Sequence, residues 1–386
     1  MGNALKSTYM AKRILYFIPE FPRLTETFIE REVSALIKRG NLDVTVLSLK
    51  RANGSTTQDV LGRTFYRRLT VMDCIKAIRL VFKVIPRGNL FLFLKAVGYA
   101  QIISEYKPDH IHVHFLSNIS TLIMYVSKIL NVPFSVSAHA RDIFVDGEFI
   151  QQKIAAAKFI TVCNNKAFES IHATNKNVYR IYHGIDPEIL DVALQIIKPA
   201  RPVIFLGGTR LVEKKGLEYM LEASKLLVSK GFDHEVHIVG PGPLYVSLTT
   251  KIKELGLENT VYIHGEGKGT PFAQVIQYYK LADVFVYPAI DTTEGDVDGI
   301  PTVVIEAALA KLPIVTTNAG SISDLIDTSN GVIIPQKDAK AISVAIELLL
   351  GDNELAHKNT LAAYDKAAKM FDATANIGEL EKHLLE

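Results

Sequence analysis

Short β-branched, apolar runs recur along the chain, separated by stretches in which apolar residues return every three or four positions. The runs are Arg13–Ile18, Asp43–Leu49, His110–Phe115, Phe134–Ala138, Phe159–Val162 and Val178–Tyr182 in the first half. In the second half they are Pro202–Leu206, Glu235–Val239, Val261–His264, Asp283–Tyr287, Ile314–Thr317 and Gly331–Ile334. Strands alternating with helices predict βαβ units and parallel sheets. The second-half runs are apolar on both faces, as in a sheet covered on both sides. Helical spacing is clearest over Thr27–Arg39, Leu217–Lys230, Pro243–Leu255, Thr302–Ala310 and Ala339–Leu350. Asp186–Ala200, with Pro187 and Pro199, separates the two series. The pattern predicts an α/β protein of two Rossmann-like domains, 1–195 and 196–370. Their cleft, at the carboxyl ends of both sheets, is where ligands bind in open sheets of this kind. The helical pattern over 371–386 either caps the second domain or packs back on the first.

The chain has 386 residues, 48% hydrophobic and 22% charged, which excludes a disordered or collagenous protein. Cys74 and Cys163 are too few for a disulfide framework, and no Cys/His metal spacing accompanies them, so a reducing, cytoplasmic setting is expected. Residues 1–13 lack the apolar run and small-residue site of a secretory leader. No apolar stretch reaches the ~20 residues of a spanning helix. The net charge of +2 conceals an asymmetry: 25 Lys and Arg against 16 Asp and Glu over 1–195, and 18 against 25 thereafter. The excess concentrates at Arg63, Arg67, Arg68, Lys76, Arg79, Lys83, Arg87 and Lys95, interleaved with apolar residues. Such a stretch reads either as a peripheral contact with an anionic membrane through 63–95 or as a core-packed helix with solvated cations. A nucleic-acid partner is not expected, since no binding motif or basic stripe occurs elsewhere.

Two segments carry candidate chemistry. In Val203–Gly216 a strand runs into Gly207 and Gly208, and Arg210, Lys214 and Lys215 cluster just before a helix. Cations are misplaced at a helix N-terminus, and a bound anion would remove the conflict. Arg210 and Lys215 are therefore candidate phosphate ligands, with Gly208 at the turn. Walker A and G-x-G-x-x-G patterns are absent. In the second segment a strand ends at Pro288, an acidic loop follows, and a helix begins around Pro301. Asp298 and Glu306 flank Gly299, Ile300, Pro301, Thr302 and Val303, whose N–H groups are open at the helix start. A carboxylate on either side of an anion-binding turn suits a diphosphate with hydroxylated rings at both ends, as in a nucleotide sugar. Local roles compete: Asp298 as a helix cap, Glu306 as a solvated residue. Asp296-Val-Asp298 is also a D-x-D, a pattern that elsewhere holds a divalent metal.

Together these segments resemble the retaining glycosyltransferases of family 4, which have the GT-B fold. Arg210 and Lys215 match that family's donor-diphosphate pair, and Glu306 matches the second acid of its E-x7-E motif, which binds the ribose. Asp298 stands where the family has its first glutamate, a departure that bears on donor choice. The segments Tyr16–Glu30, Ser137–Asp142 and Asp298–Pro301 are similar to the branch that builds exopolysaccharides of the colanic-acid type. The resemblance implies that Leu24 and Thr25 line the donor side and that His139 contacts the donor sugar. His112 and His114, alternating on one strand face, either line the acceptor side or pack under the next helix, and His114 is the acceptor-side candidate because it lies nearer the strand's carboxyl end.

The implied reaction is transfer of a hexose, most commonly from a UDP-sugar, to a saccharide acceptor, with retention and without a metal or other cofactor. Arg210 and Lys215 would do the neutralising that a metal does in D-x-D enzymes. An acceptor on a lipid diphosphate would place the enzyme peripherally on the inner membrane face. A nucleotide-sugar epimerase on the same fold, or a catalytically silent sugar-binding protein, are the alternatives.

Overall fold

The computed structural model describes residues 11–23, 26–77, 90–139, 143, 150–172, 177–185, 187–190, 193–294 and 297–386. The chain forms two compact units, one of 1–184 with 373–386, the other of 185–372. The passage between them falls earlier than the proline-bearing stretch suggested. Ile185 already belongs to the second unit, where its N–H donates to the carbonyl of Phe371 at 2.9 Å.

The first unit holds a seven-stranded parallel sheet in the order β3-β2-β1-β4-β5-β6-β7. Its strands are β1 (Lys12–Phe21), β2 (Leu42–Arg51), β3 (Thr64–Tyr66), β4 (His110–His114), β5 (Phe134–Ala138), β6 (Phe159–Val162) and β7 (Val178–Arg180). The second unit holds six parallel strands in the order β10-β9-β8-β11-β12-β13. These are β8 (Val203–Gly207), β9 (Glu235–Val239), β10 (Val261–His264), β11 (Val284–Tyr287), β12 (Ile314–Thr317) and β13 (Val332–Ile334). In both sheets the winding reverses beside the first strand, between β1 and β4 and between β8 and β11. Ligands of doubly wound sheets bind at such switch points, beyond the carboxyl ends of the strands.

The helices follow from the apolar spacing. Over Thr27–Arg39 the residues Ile29, Val33 and Leu36 are buried on one stripe, and Gly40 ends the helix with a φ of 72°. The helix Thr302–Leu309 is buried from Val303 to Leu309, and no side chain caps its N-terminus behind Pro301. The last helix, Ala373–Leu385, packs on the first sheet, with Ile377, Leu380 and Leu384 in one core with Ile14, Tyr16 and Ile18. Arg39 Nε, 2.9 Å from Glu381 Oε2, ties it to the helix Thr27–Arg39. The basic stretch divides into β3, a helix Val71–Ala77 and a long helix Leu90–Tyr106, with 78–89 outside the described residues.

Candidate active site

In the second unit, the loops after β8 and β11 meet. Lys215 lies in a 3-10 turn, Glu213–Lys215, closed by Gly216 at a φ of 64°. A Cβ on Gly216 would fall 1.8 Å from the Pro288 carbonyl oxygen, so only glycine lets the β8 loop lie against the end of β11. The Lys215 side chain is buried, and its Nζ stands 2.9 and 2.8 Å from the two oxygens of Asp298. It also donates to the Tyr287 hydroxyl at 2.7 Å, which in turn donates to Asp298 Oδ2 at 2.7 Å. Lys214 Nζ lies 3.4 Å from Asp298 Oδ1. Lys214 and Lys215, ahead of the helix Leu217–Ser229, thus share Asp298, a partner that sequence spacing did not indicate. Burial works to raise the Asp298 pKa, but Lys215 and Lys214 outweigh it and hold the carboxyl below its usual range. Burial lowers Lys215, with Asp298 opposing.

Gly320, at a φ of 59°, supports the same loop: a Cβ there would sit 2.0 Å from the Asp298 carbonyl oxygen. Asp296 of the D-x-D lies outside the described residues. Arg210 is exposed and near enough to act electrostatically on Lys215 and Tyr287. Gly208 takes a φ of 69°, and a Cβ on it would lie 3.1 Å from Val303 Cγ1, so the β8 loop approaches the start of the helix Thr302–Leu309 closely. Around that start Gly299 and Ile300 are half-buried, Pro301 is buried and Thr302 is exposed. One turn on, Glu306 is 6% exposed and accepts from the Tyr279 hydroxyl at 2.7 Å. Neither local role fits: Asp298 does not cap the helix, and Glu306 is not solvated. Tyr279 and Tyr287 went unremarked because each sits in an apolar run, where an aromatic reads as core.

In the first unit, a histidine cluster lies at the carboxyl end of the sheet. Glu32 Oε1 accepts from the Tyr16 hydroxyl at 2.8 Å and lies 3.1 Å from His114 Nε2. His114 Nδ1 is 3.5 Å from His139 Nε2. The His139 ring stacks on His183, centroids 5.1 Å apart and planes within 15°, and packs against Phe28 at 4.9 Å and Phe115 at 4.7 Å. His112 bonds Ser135 through Nδ1 and Ser137 through Nε2. Burial works to raise Glu32, but the imidazoles of His114, His112 and His183 bring it down to about 2. Burial lowers His112 to about 3 and His183 to about 4, against the pull of Glu32. A small cavity of about 60 Å³ opens beside Glu32, His183, Ser137 and Thr161. Leu24 and Thr25 lie outside the described residues.

Among the described residues, two groups offer metal-type ligand atoms within 4.8 Å of one another: His139, Cys163 and His183, and Glu32, His112 and His114. In the first, the His139 and His183 rings lie near-parallel. In the second, both nitrogens of His112 and Oε1 of Glu32 already have hydrogen-bond partners. The second arrangement suits a hydrogen-bonded network better than a cage. Glu32 and His183 were missed by sequence reasoning. The available signal for Glu32 was an acid three residues after Ile29, on the buried side of an amphipathic helix.

Residues 25–189 match the family described as Glycosyltransferase Family 4, and 194–366 match Glycosyl transferases group 1. The chain belongs to glycosyltransferase family 4. It is related to enzymes of the colanic-acid and amylovoran type. It is 35% identical over 179 residues to the amylovoran biosynthesis glycosyltransferase AmsK of Erwinia amylovora, covering 46% of this chain and 42% of AmsK. The chain thus spans less than half the length of that relative. To the putative colanic acid biosynthesis glycosyltransferase WcaL of Escherichia coli K12 it is 23% identical over 365 residues, 86% of this chain and 89% of WcaL. Among solved structures, Anabaena HepE in complex with UDP and glucose superposes with a TM-score of 0.68 at 15% identity, over 97% of this chain and 99% of HepE. The fold is the two-Rossmann-domain GT-B type.

Proposed function

We propose that the protein is a retaining glycosyltransferase that moves a hexose from a UDP-sugar to a hydroxyl of a saccharide acceptor in exopolysaccharide synthesis, without a metal. The observation that carries this reading is the buried Lys215–Asp298–Tyr287 cluster, with Arg210 near enough to act on Lys215 and the uncapped helix Thr302–Leu309 beginning shortly after Asp298. As the glycosidic bond breaks, the diphosphate gains negative charge and the sugar becomes oxocarbenium-like. Lys215, held by Asp298 and Tyr287, and the N–H groups at Thr302 and Val303 are in place before the reaction, with the exposed Arg210 beside them, and preorganised groups act most strongly in a site that excludes water. Asp298 holds Lys215 in place and, by the family resemblance, serves the sugar hydroxyls. Glu306, held by Tyr279, is the ribose ligand in this reading, and His139 the first unit's contact for the donor sugar. The leaving phosphate takes the acceptor proton. UDP is favoured because the HepE structure holds UDP and glucose.

The acceptor is proposed to be lipid-linked and met at a membrane surface. Val71, Met72, Ile75, Leu90, Phe91 and Leu94 are all more than half exposed, and the two helices that bear them are in contact. An apolar patch of this kind marks a protein or membrane contact. The cations beside it contribute less than their number suggests: Arg67 is paired with Asp73 and Glu105, and Arg63 with Asp43. Among the described residues no helix is long and apolar enough to cross a membrane.

A thermal-shift screen of UDP-, GDP- and ADP-sugars, with and without EDTA, tests the donor. Stabilisation by a UDP-sugar that survives EDTA is the expected result, and a shift that requires a divalent ion contradicts the metal-free reading. NMR of the product's anomeric proton then reads retention directly.

A further inference from the structure

We propose that Tyr287 is a positioning residue: its hydroxyl ties the Lys215–Asp298 pair to the end of β11 and holds the Lys215 ammonium with one N–H left over for an anion. The inference rests on the reading above for the part that Lys215 plays with the donor diphosphate. The hydrogen bonds that carry it do not depend on that reading.

The direction of each bond in the cluster follows from the groups themselves. An ammonium only donates, and an ionised carboxylate only accepts. Burial would raise Asp298, but Lys215 and Lys214 bring it below its usual range, so it is ionised. Burial and the charge of Asp298 push the Tyr287 hydroxyl well above its usual range, so it keeps its proton. That proton goes to Asp298 Oδ2 at 2.7 Å, and the same oxygen accepts from Lys215 Nζ at 2.7 Å. With Nζ 2.8 Å from Oδ2, the three atoms form a nearly equilateral triangle.

Tyr287 is the member of this triangle that stands on regular structure. It is the last residue of β11, paired in register with Thr316 of β12, and its carbonyl accepts from the Thr316 hydroxyl at 2.8 Å. Its ring is fully buried and lies within 8° of parallel to that of Phe285. Lys215 sits in a 3-10 turn, and Asp298 in the loop before the helix Thr302–Leu309. An ion pair between two loops fixes them to each other, and the phenol fixes both to the sheet.

The ammonium has three N–H bonds at tetrahedral angles. The two oxygens of Asp298, at 2.9 and 2.8 Å, are neighbours on one carboxylate and subtend too small an angle at Nζ to take one N–H each in line, so they share one. Tyr287 takes the second. The third has no acceptor among the described residues, and Lys215 is only 6% exposed. A buried donor without a partner is costly, and an anion relieves it. Removing the hydroxyl frees a second N–H and lets the ammonium turn about its last bond. An N–H held in place serves best where charge develops, so its loss should appear in kcat more than in the donor KM. Burial, Lys214 and Arg210 lower Lys215, while Asp298 opposes them. A hydrogen bond from the charged ammonium to the phenol acts on the side of Asp298.

Tyr287→Phe keeps the ring, whose centroid is 5.4 Å from Lys215 Nζ, and removes only the hydroxyl. Full-length protein labelled with 15N- and 13C-lysine is observed by ammonium correlation spectra, with Lys215 assigned by the signal lost in Lys215→Met. The wild-type Lys215 ammonium should exchange with water far more slowly than exposed lysines. In Tyr287→Phe it should exchange faster and lose its proton at lower pH. Equal exchange and titration in the folded variant would overturn the proposal. So would fast exchange in the wild type, a result that needs no variant to fold. With UDP-glucose as donor, Tyr287→Phe should lose about tenfold in kcat with KM little changed, and the alkaline limb of its pH profile should move to lower pH. A raised KM at unchanged kcat would overturn the positioning role. A wild-type Lys215 signal that UDP does not move would count against the donor reading above, while exchange and titration decide Tyr287 separately.

Discussion

Lys215 Nζ lies within hydrogen-bond distance of both carboxylate oxygens of Asp298, although the two residues are 83 positions apart in the chain. Both side chains are nearly buried. Removing one partner of such a pair leaves a charge without compensation, at a cost of about 3–5 kcal/mol. Lys215→Met and Asp298→Asn should therefore each lower the melting temperature sharply, and the double variant should recover much of the loss. If Lys215 also serves the donor diphosphate, the double variant should still transfer sugar some 10²–10³-fold more slowly. Denaturant melts of the four proteins, with transfer rates on the same samples, separate the two roles. Additive losses in stability would show that the pair is not coupled.

Glu306 and Tyr279 lead to a different expectation. Glu306→Gln can keep the hydrogen bond from the Tyr279 hydroxyl, while Glu306→Ala strands that buried hydroxyl at about 1–3 kcal/mol. The glutamine variant should fold normally and weaken donor binding with little change in kcat, as expected for a group that holds the ribose and not the reacting atoms. Calorimetric titration with UDP and with the UDP-sugar checks it. Equal affinities for wild type and Glu306→Gln would remove Glu306 from the donor site.

Much of this was legible in the sequence because the strands are short, buried runs. Phe134–Ala138, Phe159–Val162, Glu235–Val239, Val261–His264 and Ile314–Thr317 fall where the apolar pattern put them. β3 (Thr64–Tyr66) escaped, being three residues long and mostly exposed at the sheet edge, with no apolar run to announce it. The helices Leu90–Tyr106 and Asn118–Leu130 were not singled out as periodic elements. In the former, buried residues occupy most positions from Phe93 to Ile103, so the amphipathic contrast is lost. At the candidate site, the charged residues were visible from spacing but their partners were not. The Asp298–Lys215 pair depends on Gly216 and Gly320 letting loops approach, and linear spacing carries no trace of that contact. Glu32 is bound to His114 across 82 positions, which only the sheet order brings together.

The buried histidines predict acid sensitivity. His112, lowered to about 3, and His183, lowered to about 4, are held neutral in the folded protein chiefly by burial. The unfolded chain protonates them below about 6.5, so their contribution is complete above that pH and is lost as pH falls from 6.5 toward 4 and 3. Glu32, held at about 2, adds a loss of the same sign below an unfolded value near 4.3. The slope of stability against pH is therefore positive across this window. At pH 5 each histidine should cost on the order of 2 kcal/mol relative to pH 8. Thermal melts at pH 8, 6.5 and 5 should show a fall of several degrees, and His183→Gln should flatten it. A melting temperature that is level from pH 8 to pH 5 would contradict the burial of these rings.

The exposed patch gives the last prediction. Phe91 and Leu94 are 65% and 51% exposed on the helix Leu90–Tyr106, whereas Phe93, between them, is 1% exposed in the core. The same helix therefore supplies its own control. Phe91→Ser with Leu94→Ser removes outward apolar surface without opening a cavity, so folding should be little affected. Phe93→Ala empties a packed site and should cost about 3–5 kcal/mol. Lys95 Nζ stands 4.3 Å from the Phe91 ring centroid, which places a cation beside the apolar tip, as suits contact with anionic headgroups. Flotation with vesicles of phosphatidylglycerol and phosphatidylethanolamine should recover the wild type and lose the double serine variant, while the thermal shift with UDP-sugar is the same for both. Undiminished flotation of the variant would place the membrane contact elsewhere. Loss of flotation in high salt with the serine variant unaffected would assign it to the cations alone.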